Sequence, residues 1–448
     1  MWFVLDNGGF FVKCGVAEEM VSAAREALGA APEKLNLKER NEAIRRAATA
    51  MVTLVPNCTA RMKKDTGSVF VGTEVEKVQD QDSARLSFTR PLERGYLTNV
   101  ECQQQIWEQV FETCGLEGPS SITGLILTTP SFVPKEIQTA TDTLLRAHFG
   151  IKNIILAHPA ELAARDADAG PFCIVVDSGY SFTHVVPVID GRVFEPGVRR
   201  LDVGGKLLTN YLRELVSYGQ INLQDETNIV DKMKQDVCFV SLNIEADLKL
   251  LANLERQPSL PVRERMPLID RRALEAQYTR RYVLPDFQTT MEGYVLPSNT
   301  DNEDILRLKN QTIALKSECF MVPELLFSPN DLGLYQAGLP QIVEDVINLC
   351  PRELHVALRR NVLLTGGTTQ FPNFAERLSQ ELGPSYSIRH VADPIRAACF
   401  GGRCKAPIVT PQPTNLAASP QSSGPVATPQ PHLLDAISQA NPPAADAP

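Results

Sequence analysis

Apolar β-forming residues run up to an Asp, break at a Gly-bearing turn and resume as a second apolar run at two places in the chain. The first copy is Phe3-Val4-Leu5-Asp6-Asn7-Gly8-Gly9-Phe10-Phe11-Val12-Lys13, and the second is Ile174-Val175-Val176-Asp177-Ser178-Gly179-Tyr180-Ser181-Phe182-Thr183-His184-Val185-Val186. Each predicts a hairpin with an acid at its tip. A third run, Asn361-Val362-Leu363-Leu364-Thr365-Gly366-Gly367-Thr368-Thr369, carries a strand into a double Gly that lets a ligand approach the backbone closely. Between these runs the period changes. Ile106, Trp107, Val110 and Phe111 recur at helical spacing between Cys102 and Cys114, Thr123 to Thr128 reads as a buried strand, and Ile137 to Phe149 reads as a helix. Asn153 to Leu156 opens another apolar segment, and the pattern begins again at Phe172. This alternation predicts sheets flanked by helices, arranged as two lobes with a ligand between them.

The hairpins suggest what that ligand is. Backbone N–H groups in Gly-bearing turns form concavities that accept phosphate oxygens, and a neighbouring carboxylate can hold a divalent cation through its waters. One D-x-G is only a turn, because Asp and Gly favour turns for conformational reasons. Two acidic hairpins followed by a Gly-Gly loop are consistent with one nucleotide held between two facing loops.

The chain resembles the actin family, most closely a nuclear branch of actin-related proteins. The resemblance rests on Asp6-Asn7-Gly8, Pro91-Leu92-Glu93-Arg94-Gly95-Tyr96-Leu97-Thr98-Asn99, Val203-Gly204-Gly205-Lys206-Leu207-Leu208-Thr209-Asn210, Tyr282-Val283-Leu284-Pro285-Asp286-Phe287 and Val322-Pro323-Glu324-Leu325-Leu326-Phe327, together with the second hairpin. Tyr180-Ser181-Phe182 and the Gly-Gly-Lys run point to the nuclear branch. The resemblance extends, with gaps, from residue 1 to about 404. It implies an α/β, actin-like two-lobed ATPase fold of duplicated ribonuclease-H-like sheets. The first lobe would span 1–167, with a helical insertion at about 18–53 and a small subdomain at about 57–88. The second would span 168–395, with a small subdomain at about 204–334, before 396–405 return to the first lobe.

The same resemblance implies ATP or ADP with Mg as a structural cofactor. Asp6 and Asp177 match the acids that hold the metal's water shell, with Asn7, Gly8 and Gly9 in one phosphate loop and Ser178, Gly179 and Tyr180 in the other. Lys13 matches the lysine that reaches the phosphates, Lys234 a helix residue of the adenosine pocket, and Gly366, Gly367 and Thr368 the loop beside the adenosine. Several positions depart from the pattern. Gly9 replaces a Ser, Tyr180-Ser181 replace an Asp-Gly pair, Gln235 stands where an acid meets the ribose, and Ile395 stands near a Lys that packs on adenine. In Leu156-Ala157-His158-Pro159-Ala160-Glu161-Leu162, Pro159 falls at or next to the place of the Gln that positions the attacking water. Pro cannot orient a water for in-line attack. His158 substitutes only if it points into the cleft. No catalytic residue is assigned, and the expectation is a bound ATP that acts as a clamp with little or no hydrolysis; an active actin-like ATPase is the alternative. A sugar or acetate kinase on the same fold would need a second-substrate pocket with a catalytic acid, and the chain shows no motif for one.

By resemblance the chain would be a subunit of a Swr-type (SRCAP-type) chromatin remodeller that exchanges a variant histone into nucleosomes. A zinc-finger subunit and the motor scaffold would be its partners, and histones or the nucleosome would be met indirectly. It would reside in the nucleus and also in the cytoplasm. The span Arg61 to Gln81 is short and charged where a polymerising actin has an apolar contact loop, so no filament is expected.

Composition adds limits. With 448 residues the chain can bury more than one core, and no apolar stretch approaches the roughly 18 residues of a membrane span. No basic region precedes the first strand, so no secretory signal is expected. The ten cysteines include no C-x-x-C pair, which argues against a zinc ribbon, and Cys399 and Cys404 are expected to be reduced thiols. A net charge of −9 excludes a protein that wraps DNA alone, while suiting partners with basic tails. Segment 18–53 reads as one or two helices that either add a binding face or represent retained non-coding sequence. The Arg-rich segment from Leu248 to Arg281 is a docking arm, an import signal or a solvated face. Residues 406–448 hold ten prolines and no Lys or Arg, which predicts a disordered tail in which only Leu433-Leu434-Asp435-Ala436-Ile437 hints at a docking helix. The family's last helix, after a Gly401-Gly402 turn, has no counterpart there.

Overall fold

The computed structural model describes residues 1–29, 35–62, 67–82, 86–116, 121–259, 266–288, 290–297, 300 and 311–407. The tail from 408 onward, with Leu433 to Ile437, lies outside the described residues, as do Arg263 and Arg265.

Two sheets repeat one plan. In the first, the order is Ile154–Ala157, Gly124–Thr128, Trp2–Asn7, Phe11–Val16, Thr53–Pro56. The hairpin partners Trp2–Asn7 and Phe11–Val16 are antiparallel, while Gly124–Thr128 and Ile154–Ala157 extend the sheet in parallel on the far side. In the second sheet Ile388–His390 and Val362–Thr365 are the parallel extension of Phe172–Ser178, whose hairpin partner is Thr183–Ile189. Each hairpin is therefore central to its sheet, and its acid is the penultimate residue of the first strand. This duplication is the actin-like fold expected from the sequence.

Strand alternation splits the first sheet into two buried faces. Phe3, Leu5 and Val12 pack on Ile106, Trp107, Val110 and Phe111 of helix Val100–Thr113. Trp2 and Val4 face the other way, onto Met20 and Ala24 of helix Ala17–Leu28 and Ile44, Ala47 and Ala48 of helix Leu37–Met51. Segment 18–53 thus contains two helices that form one side of a core. Glu18 ties the first helix to the strand by accepting the Trp2 N–H on both carboxylate oxygens, at 2.9 and 3.1 Å. Asn36 and Glu39 close a capping box at the start of the second.

Gly401 and Gly402 do not form the expected turn. They lie in helix Ala397–Gly401 and the 3-10 turn Gly402–Cys404, where their bare backbone packs on the Leu162 carbonyl and the Val4 side chain. In the Arg-rich segment, helices Ile244–Arg256 and Leu268–Tyr278 precede strand Arg280–Val283, and Arg271 pairs with Glu275 at 2.9 Å. The small sheet at Thr59–Met62, Val69–Val71 and Leu86–Thr89 encloses its own apolar cluster around Cys58, Ala60, Val75 and Leu86.

If helix Ala17–Leu28 is core, Met20→Ala lowers stability to urea by about 2–5 kcal/mol. A change below about 0.5 kcal/mol would mark the helix as an appendage.

Candidate functional site

A cavity of about 640 Å³ opens between the hairpins, within the size range of small-ligand sites. It is lined by Asp6, Asn7, Gly8, Gly9 and Lys13 from the first hairpin, Asp177, Gly179 and Tyr180 from the second, and Lys234, Gly366, Gly367 and Thr368 from elsewhere. Of the residues predicted for the site, only Ser178 lies apart from it. Neighbours on a strand point to opposite faces, so while Asp177 meets the cavity Ser178 is buried behind it, with its hydroxyl 2.7 Å from Thr183 Oγ1.

The hairpin register explains the central charges. Asp6 is paired across the turn with Lys13, and Lys13 Nζ lies 2.9 Å from Asp6 Oδ2. Burial alone would lower the Lys13 pKa, but Asp6, reinforced by Asp177, outweighs it and raises the value. Asp177 has the same register with His184, which burial keeps neutral by pushing its pKa down to about 3. Burial first, and then the Asp6 carboxylate, push the Asp177 pKa up to about 6. Two carboxylates therefore share one ammonium.

Distant residues hold the first loop. Thr128 donates to Asp6 Oδ1 at 2.7 Å and accepts from the Asn7 N–H at 3.3 Å. The Asn7 amide donates to Gln103, while its oxygen receives Asn57 Nδ2 and Trp107 Nε1. Asn57 Nδ2 also reaches the Gly8 carbonyl at 2.8 Å. The side chain of Asn7 is thus spent on anchoring its own lobe. On the opposite side Gly366 adopts φ +88°, where a Cβ would stand 2.2 Å from the Ser178 carbonyl oxygen, and Thr368 Oγ1 donates to the Gly179 carbonyl at 2.9 Å. Lys234 is equally committed, donating to Gly205 O, Thr209 Oγ1 and Asp231 Oδ1. Asp231 itself lines the cavity and was not foreseen as a site residue. Burial would raise its pKa, but Lys234, Thr209 and Gln235 together hold it below the usual value. Its spacing from Lys234 and Gln235 on one helix face was the available signal.

The residues expected at the water-positioning place split between the cavity and a helix cap. Pro159 lines the cavity, whereas His158 is absent from its lining and caps helix Pro159–Asp166, with Nδ1 accepting the Ala160 N–H at 3.2 Å. Nε2 accepts the Ser131 N–H at 3.2 Å and lies 3.1 Å from Ser131 Oγ, which itself donates to Glu195 at 2.9 Å. Burial pushes the His158 pKa down to about 4. Neither ring nitrogen is free to serve as a base toward the cavity.

The site fits a phosphate group with a hydrated cation. Among the described residues, the N–H groups of Gly9, Tyr180, Ser181 and Gly367 donate to no protein acceptor, and all four residues line the cavity. The same residues include no cluster of three or more His, Cys, Asp or Glu that would ligate a metal directly. Asp6 and Asp177 would hold Mg²⁺ through its waters, and the cation would supply the positive charge that Lys13 alone does not.

Comparison with known proteins gives the same direction. The family model described as Actin matches residues 2–403. Actin-related protein 6 of Drosophila melanogaster is 34% identical over 365 residues, covering 78% of this chain and 86% of its own length. Actin-related protein 6 of Oryza sativa subsp. indica is 34% identical over 439 residues, 89% of this chain and 90% of its own. The protein of that name from Arabidopsis thaliana is 34% identical over 385 residues, 78% and 86%.

The raised Asp177 pKa sets a pH dependence. Its folded value of about 6 lies above the ordinary 3.8, so the folded chain binds the proton more tightly, and stability falls as pH rises through that window. Without ligand, Asp177→Asn is expected to exceed wild type by about 1–2 kcal/mol at neutral pH and to match it near pH 3 or below, measured by urea unfolding. Equal stability at both pH values would show that Asp177 ionises freely.

Proposed function

The chain belongs to the actin family, and on that premise we propose that it is a nuclear structural subunit of a Swr-type (SRCAP-type) chromatin remodeller that exchanges a variant histone into nucleosomes. In this role the cleft holds an adenine nucleotide with Mg²⁺ as a clamp across the lobes and turns it over slowly or not at all. The observation that carries the clamp reading is the pairing of two facing acidic hairpins with Pro159 and a diverted His158. The cleft keeps the means of binding phosphate and lacks the group that would activate water. A ligand that binds only the closed, folded chain stabilises it by mass action without any chemistry.

Likeness to proteins named actin-related protein 6 supports the assembly reading. The partners proposed are a zinc-finger subunit and the motor scaffold, with histones or the nucleosome met indirectly, in the nucleus and also in the cytoplasm. The chain does not polymerise in this reading, in keeping with the charged span from Arg61 to Gln81. No membrane is involved; among the described residues no helix is long and apolar enough to cross one.

Gently isolated protein is expected to retain nucleotide and to release phosphate hardly at all over hours, with Asp177→Ala losing the nucleotide. His158→Ala should leave phosphate release at its background level. Steady release in wild type that His158→Ala abolishes would replace the clamp by the ATPase alternative. Affinity purification from nuclear extract, scored for remodeller subunits, tests the assembly, and their absence would sink it.

A further inference from the structure

The two hairpins do more than face each other: their tips touch. A Cβ built on Gly9 would stand 2.4 Å from Ser181 Oγ and 3.3 Å from Tyr180 Cδ1, so the Tyr180-Ser181 segment lies directly against the first loop. Beside this contact the Phe10 and Tyr180 rings are 5.1 Å apart, and the Arg90 guanidinium lies over both, at 4.5 and 4.9 Å from their centroids. Arg90 Nη1 also reaches the carbonyls of Phe10, Gly9 and Asn57 at 3.2–3.4 Å. The second loop cannot retreat, because its main chain is pinned from behind. Gly179 N donates to Phe182 O, Gly205 N to Gly179 O and Lys206 N to Tyr180 O, at 3.0, 3.0 and 2.8 Å.

Chain order gives each loop a direction. The acids and Lys13 lie at its base, inside the paired strands rather than at the tip expected from the sequence, Gly8 and Gly179 come next, and Gly9 and Tyr180-Ser181 form the tip. Gly366 abuts the base of the second loop, a Cβ built on it standing 3.0 Å from Asp177 Oδ1. With the adenosine on the Gly366-Gly367-Thr368 side, as the clamp reading has it, phosphates meet Lys13 and the acids first and a longer chain has to pass between the tips. There the two loops are already in contact. We infer that the cleft selects a nucleoside diphosphate over the corresponding triphosphate, with Tyr180 and Ser181 packed against Gly9 as the residues that exclude the third phosphate. The inference rests on the nucleotide-clamp reading and specifies its ligand. It also gives Gly9 a second meaning: a side chain there would collide with Ser181, so the glycine allows the tips to close.

The test is calorimetric titration of the full, nucleotide-stripped chain with ADP and with ATP, each with Mg²⁺. Wild type is expected to bind ADP at least about tenfold more tightly than ATP. Tyr180→Ala opens the tip and should bring the two affinities within about threefold, while Tyr180→Phe should keep the preference, since the ring and not its hydroxyl fills the space. Ser181→Gly removes the other contact and serves the same purpose if Tyr180→Ala does not fold. Equal affinities in wild type, or tighter ATP, would overturn the selectivity and leave the nucleotide cleft standing. Folded wild type that binds neither nucleotide would overturn both. A preference for ADP that survives both Tyr180→Ala and Ser181→Gly would overturn the assignment to these residues.

Discussion

Asp6, Asp177 and Lys13 meet where the two sheets come together, and one buried ammonium has to serve two carboxylates. Burying an unbalanced charge is among the costliest things a fold can do, and it is tolerated when a proton, a cation or a polar network compensates. Here each of these contributes. Lys13 bonds Asp6, Thr128 donates to the same carboxylate, and Asp177 takes part of its relief as a raised pKa. The arrangement stays short of positive charge, and a hydrated divalent cation brought by a nucleotide would make up the difference. Because the acids come from different lobes, whatever neutralises them also joins the lobes.

Both acids were legible in the sequence because each ends an apolar strand at a Gly-bearing turn, a local pattern. The Lys13–Asp6 pair follows from hairpin register, also local. What could not be read is the support delivered from far along the chain. Asn57, Gln103, Trp107 and Thr128 converge on Asn7 and Asp6, and no spacing in the sequence brings them together. Ser178 was misplaced for a different reason. Its neighbours in sequence belong to the site, but strand alternation turns it into the core.

Segment 18–53 shows where composition ran out. Its Ala-rich, charged pattern announced helices but not which side they would bury, and a helix with few large apolar residues looks like surface. Trp2 and Val4 decide the matter, since a strand with apolar residues at consecutive positions needs cover on both faces. Met20 and Ile44 provide that cover.

The adenosine side and the phosphate side have changed in a consistent sense. Lys234 is bound by Asp231 and Thr209, Gln235 donates to Asp231 at 2.7 Å, and Ile395 offers only apolar surface. Groups that would respond to a ligand in a turning-over enzyme are here bonded to one another. Beside the cavity, Pro159 fixes its own backbone angle and His158 is tied through Ser131 to Glu195. Catalysis also relies on groups held in place, provided one of them is aimed at the attacking water, and Pro159 and the diverted His158 do not supply it. Commitment extends over the described cleft from the Asn7 network to the Phe10–Arg90–Tyr180 stack. In the clamp reading, the proline at the water-positioning place is one part of this wider commitment, in which the cleft keeps the electrostatics that would bind phosphate.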